Sequence, residues 1–110
     1  MFLLQSEAQL QDKVASAIAY VDPKIWIERE VRAGNGRYDI LCQRDGASVV
    51  LELKLHASPA SVERQAQRYA LRPEVDAVGV VTTSRRLAHG LGTAEMLGGK
   101  PFFVVALRTT

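Results

Sequence analysis

One cysteine, two histidines and no long apolar run set the first limits on this chain of 110 residues. Cys42 has no intramolecular disulfide partner and stands inside an apolar stretch, so it reads as a buried thiol in a reducing compartment. The same shortage leaves a structural zinc site without enough ligands. His56 and His89 sit near no nucleophile motif, which argues against a Ser/His hydrolase. Each reads as a polar surface residue, and His56, two positions beyond Lys54, at best lines a site. No segment approaches the ~20 uncharged apolar residues of a membrane-spanning helix, and the opening "MFLL" is too short for a signal peptide. The expected location is therefore cytoplasmic, with no membrane association. Internal repeats, linkers and low-complexity segments are lacking too, so residues 1–110 read as one domain. A formal net charge of +2 is too small to argue for a nucleic-acid partner by itself.

What is present is an ordinary globular composition, 47% hydrophobic and 24% charged. A chain of this length buries roughly 60% or more of its unfolded surface without staples. Ser6 is positioned to cap a helix over residues 7–20, with Leu10, Val14, Ala17, Ile18 and Val21 on one face, and Asp22-Pro23 ends it. "IWIEREVRA" alternates Ile25, Ile27, Val31 and Ala33 against Trp26, Glu28, Glu30 and Arg32, a strand half in water. Gly34-Asn35-Gly36 makes a tight turn into "RYDILCQ", and Asp45-Gly46 turns again into "SVVLELKL". Ser58-Pro59 opens a helix that Pro73 closes, and "VDAVGVVTT" reads as a strand buried on both faces. Ser84 starts a further helix, ended near Gly98-Gly99, before a last strand "PFFVVAL". The order α-β-β-β-α-β-α-β implies an α/β fold: a three-strand meander, then helical crossovers, with a mixed sheet and helices on both sides.

The charges inside two of these strands need a reason. With Asp45 and Gly46 as the turn residues, Arg44 faces Ala47, and that register sets Asp39 directly opposite Glu52 on one face, with Lys54 beside them. Leu51, Leu53 and Leu55 fill the other face. Facing carboxylates have Cβ atoms about 5 Å apart, a repulsion of about 3 kcal/mol at an effective dielectric near 20. A cation between them removes it: Lys54 serves in part, and a divalent metal serves better, since Mg²⁺ accepts one or two carboxylates plus waters and phosphate oxygens. The plainer alternative is a solvated sheet face, in which an Asn35-Gly36 turn sets Arg32 opposite Asp39 as a cross-strand ion pair.

Glu7 points near the packed side of its helix, as a site acid or as a first-turn acid favoured by the helix dipole. Gln65 and Tyr69 stand one helical turn apart on the crossover helix, near the end of the strand carrying Glu52 and Lys54. They are otherwise a surface amide and a core aromatic. Arg64, Arg68 and Arg72 form a stripe along that helix, either a solvated face or a track for a phosphate backbone.

With Glu7, Asp39, Glu52, Lys54, Gln65 and Tyr69 together, the chain resembles the PD-(D/E)XK nuclease superfamily. The stretch "EREVRAGNGRYDILCQRDGASVVLELK" followed by "RQAQRYA" is similar to the catalytic domain of NucS/EndoMS-type endonucleases and, more distantly, to RecB-family nucleases, over roughly residues 6 to 83. The resemblance implies a restriction-endonuclease-like αβββαβ core and a Mg²⁺- (or Mn²⁺-) dependent hydrolysis of phosphodiester bonds in DNA, in repair, recombination or mobile-element processing. It implies that Asp39 and Glu52 bind the metal, that Glu7 supports the metal or its water, and that Lys54 orients or activates the attacking water. Gln65 and Tyr69 would shape the site and contact DNA.

Tyr38 stands where the superfamily's name has proline, and the N-terminal DNA-binding domain of NucS-type enzymes has no counterpart in this sequence. Substrate choice and dimer geometry therefore do not carry over, and the expected partners are DNA with a homodimer or a separate DNA-binding chain. A Holliday-junction-resolvase-like dimer and an inactive nucleic-acid-binding module of the same fold are the alternatives.

Overall fold

A computed structural model describes residues 6–92 and 95–108. "MFLL" lies outside the described residues. Ser6 accepts a hydrogen bond from Gln9 N at 3.1 Å and caps helix α1, Glu7–Val21, which ends in the extended Asp22. Strands β1 (Trp26–Ala33), β2 (Gly36–Arg44) and β3 (Ala47–Lys54) form the antiparallel meander. Helix α2 (Pro59–Ala70), capped by Ser58, returns the chain to β4 (Ala77–Thr82), parallel to β3. Helix α3 (Arg85–Leu91) leads to a short β5 (Met96–Leu97), and β6 (Lys100–Ala106) lies parallel to β4. The six strands are ordered β1-β2-β3-β4-β6-β5. Two apolar clusters cover the two faces. Leu10 and Val14 of α1 pack on Ile40, Cys42, Leu51, Leu53, Leu55 and Val81. Val62, Ala66 and Tyr69 of α2 and Leu87 of α3 pack with Tyr38, Val50, Val78 and Val80. No helix among the described residues is long and apolar enough to cross a membrane.

Three sequence expectations change. The last helix was expected to reach Gly98-Gly99, but α3 ends at Leu91, with Gly92 at φ +71°. Residues 93–94 lie outside the described residues, and Gly98-Gly99 (φ +59° and +78°) is instead a hairpin turn between β5 and β6. Two consecutive left-handed glycines fit a tight hairpin and not a helix end. The first turn also differs: Ala33 pairs with Gly36, so Gly34 and Asn35 are the turn residues and Arg32 faces Arg37. Asp39 therefore stands opposite Glu30, and the Arg32–Asp39 ion pair does not form.

The third change is the face of β1. Ile25 and Ile27 pack on the α1 side, whereas Val31 and Ala33 pack on the α2 side. The switch falls at Glu30, whose φ is +58°, and it is mirrored in β2, where Ile40 packs toward α1 and Tyr38 toward α2. One residue in each strand is skipped, so the register is the same on both sides while the faces invert. Geometry demands such a step. Each tight hairpin closes on a hydrogen-bonded pair, Ala33–Gly36 at one end of β2 and Arg44–Ala47 at the other. In a regular strand alternate residues bond to opposite neighbours, and the even spacing of Gly36 and Arg44 cannot satisfy both turns without one irregular residue.

Candidate active site

Asp39, the irregular residue of β2, lies one step beyond the last regular β2–β3 pair, Ile40–Leu51. That places it opposite Glu52, as the turn chemistry of Asp45-Gly46 (φ +53° and +81°) requires. Its carboxylate Oδ2 accepts a hydrogen bond from Leu53 N at 2.8 Å. Glu52 shares the α2 face of β3 with Val50 and is only 1% exposed. Its Oε1 is buried with no hydrogen-bond partner among the described residues. Burial, and then the neighbouring Asp39 carboxylate, push the Glu52 carboxyl up from 4.5 to about 9, against a smaller opposing pull from Lys54. The repulsion expected between the two carboxylates is thus relieved by a proton on Glu52 at neutral pH. The Asp39 backbone N–H draws the Glu52 carboxyl down, but by less than burial and the Asp39 side chain raise it.

Asp39 and Lys54 line an open cleft of about 730 Å³, together with Glu7, Gln65, Arg68, Tyr69 and the tip of the first hairpin. Glu7 reaches it from the first turn of α1 and accepts a hydrogen bond from Leu55 N at 3.2 Å, which ties α1 to the end of β3. Tyr69, buried in the α2 core, accepts from Arg37 N at 3.2 Å and donates to Arg37 O at 3.0 Å. It also packs edge-on against Tyr38, with ring centroids 4.9 Å apart. Gln65 Nε2 donates to the Tyr69 hydroxyl at 3.4 Å, so the Gln-x-x-x-Tyr pair latches the hairpin and borders the cleft.

The arginine stripe is only partly realised. Arg64 and Arg68 are exposed on α2 and share a shallow groove with Gln65 and Gln67. Arg72 lies past the helix end, which comes at Ala70. Its Nε is 2.6 Å from Glu74 Oε2, the oxygen that also accepts from the Tyr38 hydroxyl at 3.0 Å. Arg72 is thus a structural tie. His56 is exposed beyond β3 and His89 is exposed at the end of α3.

Sequence reasoning missed the hairpin tip, where Arg32, Gly34, Asn35, Gly36 and Arg37 form one wall of the cleft. Gly36 carried the signal: a Cβ there would come within 2.7 Å of the Tyr69 hydroxyl. Among the described residues no three His, Cys, Asp or Glu side chains come together as a cation-binding group; the acids that line the cleft are Glu7 and Asp39, while Glu52 is buried beside Asp39 and is not among the lining residues. Compared with protein-family models and with curated proteins, the chain matches none of either.

Proposed function

We propose that the chain is a metal-dependent nuclease that hydrolyses phosphodiester bonds in DNA, with Asp39 and Glu52 as the cation ligands. The observation that carries this reading is Glu52: a carboxyl buried in a strand, one oxygen unpartnered, beside a second carboxylate that lines a cleft. Leaving such a group unsatisfied costs stability, and an unexplained buried polar atom is a mark of function. A divalent cation fits the donor set, since Mg²⁺ takes one or two carboxylates and completes its shell with waters and phosphate oxygens. Held by Asp39 and Glu52, Mg²⁺ or Mn²⁺ would polarise the scissile phosphate and lower the pKa of a water.

The chain's own residues supply the rest. Lys54, two positions along the same face of β3, holds the attacking water or offsets the negative charge that grows on the phosphate oxygens. Water adds to phosphorus, the P–O bond to the leaving sugar breaks, and the products are a phosphate monoester and a free hydroxyl. Glu7 fixes the end of β3, and so the position of Lys54, through the Leu55 amide. Arg64 and Arg68, exposed on α2, would contact flanking phosphates.

The test is incubation of the purified protein with labelled single-stranded, duplex and branched DNA, in Mg²⁺, Mn²⁺ or EDTA. Cation-dependent cutting that Asp39→Ala and Glu52→Ala abolish is the expected result. Binding without cutting favours the inactive module, cutting confined to four-way junctions favours the resolvase-like reading, and neither binding nor cutting rejects all three.

A further inference from the structure

We infer that Glu30 is a positioning residue, and that its left-handed backbone, not its carboxylate, places Asp39 in the cleft. Glu30 and Asp39 face each other at the one unpaired step of the β1–β2 ladder, between Arg29–Ile40 and Val31–Tyr38. At that step both strands invert their faces. In an uninterrupted β2–β3 ladder the hydrogen-bonded pairs would run on from Arg44–Ala47 by twos, and Leu53 N–H would meet the Tyr38 carbonyl. The step turns Tyr38 toward β1 and α2, and the Asp39 carboxylate takes the Leu53 donor in its place. The same step folds the hairpin tip over α2, where Arg37 meets the Tyr69 hydroxyl through both its backbone groups. One irregular position thus sets the direction of Asp39 and builds a wall of the cleft.

A glutamate at φ +58° is strained, because its Cβ crowds the following carbonyl. Its side chain offsets that strain. Glu30 Oε1 accepts from Gln11 Nε2 at 3.3 Å, and Oε2 pairs with Arg37 Nε at 2.7 Å. Gln11 is itself buried on α1 and accepts from Arg29 Nε at 2.5 Å. The carboxylate is therefore a brace for the backbone conformation. A residue that adopts the left-handed region freely makes the brace unnecessary.

That distinction gives the experiment. Amide hydrogen exchange is measured on metal-free protein at Leu53 and Arg37, whose N–H groups donate to the Asp39 and Tyr69 side chains. Val50, in the middle of β3, is the control for global opening. Glu30→Gly and Glu30→Asn reach the left-handed region without strong penalty, so they should exchange as the wild type does at both amides. Glu30→Val cannot, and should exchange at least tenfold faster at both while Val50 stays protected. A valine variant as slow as wild type, or a glycine variant as fast as valine, overturns the inference. If the valine variant fails to fold, Glu30→Ala replaces it under the same criterion.

A second arm, which alone rests on the nuclease reading, measures the rise in melting temperature with Mn²⁺. The glycine variant should keep that rise and the valine variant should lose it. Equal rises in the two overturn the inference. A wild type without any rise counts against the nuclease reading, and the exchange arm then decides the inference alone.

Discussion

Glu52→Gln tests the site without any cation or substrate. The wild-type carboxyl is held neutral to about pH 9 in the folded state, against an ordinary value of 4.5. Unfolding releases it to ionise, so at any pH between these values the unfolded state binds fewer protons. The sign follows: the contribution of this group is fully present below about pH 4.5, drains as pH rises, and levels off above about pH 9. Each pH unit in that window removes about 1.4 kcal/mol. At pH 7 the wild type has therefore lost about 3 kcal/mol of metal-free stability through Glu52 alone, from the two and a half units separating pH 7 from the 4.5 reference. For a domain of this size that is roughly 10–20 °C in melting temperature.

Glutamine keeps the shape and cannot titrate. It brings a constant cost for its own amide but no pH slope. Urea melts in EDTA at pH 5.5, 6.5, 7.5 and 8.5 should show the stability of the wild type falling relative to the glutamine variant by about 1.4 kcal/mol per unit. Other groups cancel in the difference. The Glu74 carboxyl, held below its ordinary value mainly by its hydrogen bond to Arg72, loses its contribution only at acid pH, outside the range. Parallel profiles for the two proteins would show that Glu52 is ionised in the fold, and the reasoning from its burial would be refuted.

Asp39→Ala removes the acceptor of the Leu53 amide and should lower metal-free stability by about 1–3 kcal/mol in the same urea melts, besides abolishing cleavage. Lys54→Ala should retain the melting shift caused by Mn²⁺, about 2.7 kcal/mol of stabilisation at a hundredfold excess over Kd, yet lose cleavage; loss of the shift would make the lysine part of the cation site. Arg64→Ala and Arg68→Ala should each lower the salt dependence of DNA binding by roughly one unit, measured as affinity against salt concentration. Arg72→Ala, whose guanidinium is tied to Glu74, should leave that dependence unaltered.

The sheet was legible in the sequence wherever turn chemistry and period agreed. Asp45-Gly46 fixed the β2–β3 register, and the helix caps Ser6 and Ser58 marked α1 and α2. The nearly unbroken apolar run of β4 marked a strand buried on both faces, and the structure sets it between β3 and β6. The first hairpin was harder, because Gly34-Asn35 and Asn35-Gly36 are both good turn pairs and differ by one step in register. Period-2 counting then carried Ile27 and Val31 onto one face, since nothing in a glutamate announces a left-handed residue. Six of the cleft's polar residues, Glu7, Asp39, Lys54, Gln65, Arg68 and Tyr69, were found from register and helix spacing, and Arg37 was missed because it arrives with the hairpin tip. The short β5 escaped notice because a two-residue strand has no period to detect.

The irregular step and the buried acid belong to one arrangement. In a regular meander Leu53 would be bonded to backbone, Tyr38 would leave the α2 core, and Asp39 would have no donor to hold it. The paired skip at Glu30 and Asp39 removes one backbone acceptor and supplies a carboxylate oxygen instead, which anchors the Asp39 side chain. Glu52 keeps one oxygen without a partner, and burial, then the neighbouring Asp39 side chain, leaves it protonated at neutral pH. Two carboxyl groups on neighbouring strands are thereby set in unlike surroundings, one tied to the Leu53 amide and the other buried with an unpartnered oxygen. The metal-free fold tolerates the pair through a proton, and a divalent cation that displaces this proton would exchange a strained neutral acid for a satisfied anionic one. Cation binding should therefore tighten as pH rises toward 9, the direction opposite to that of metal-free stability.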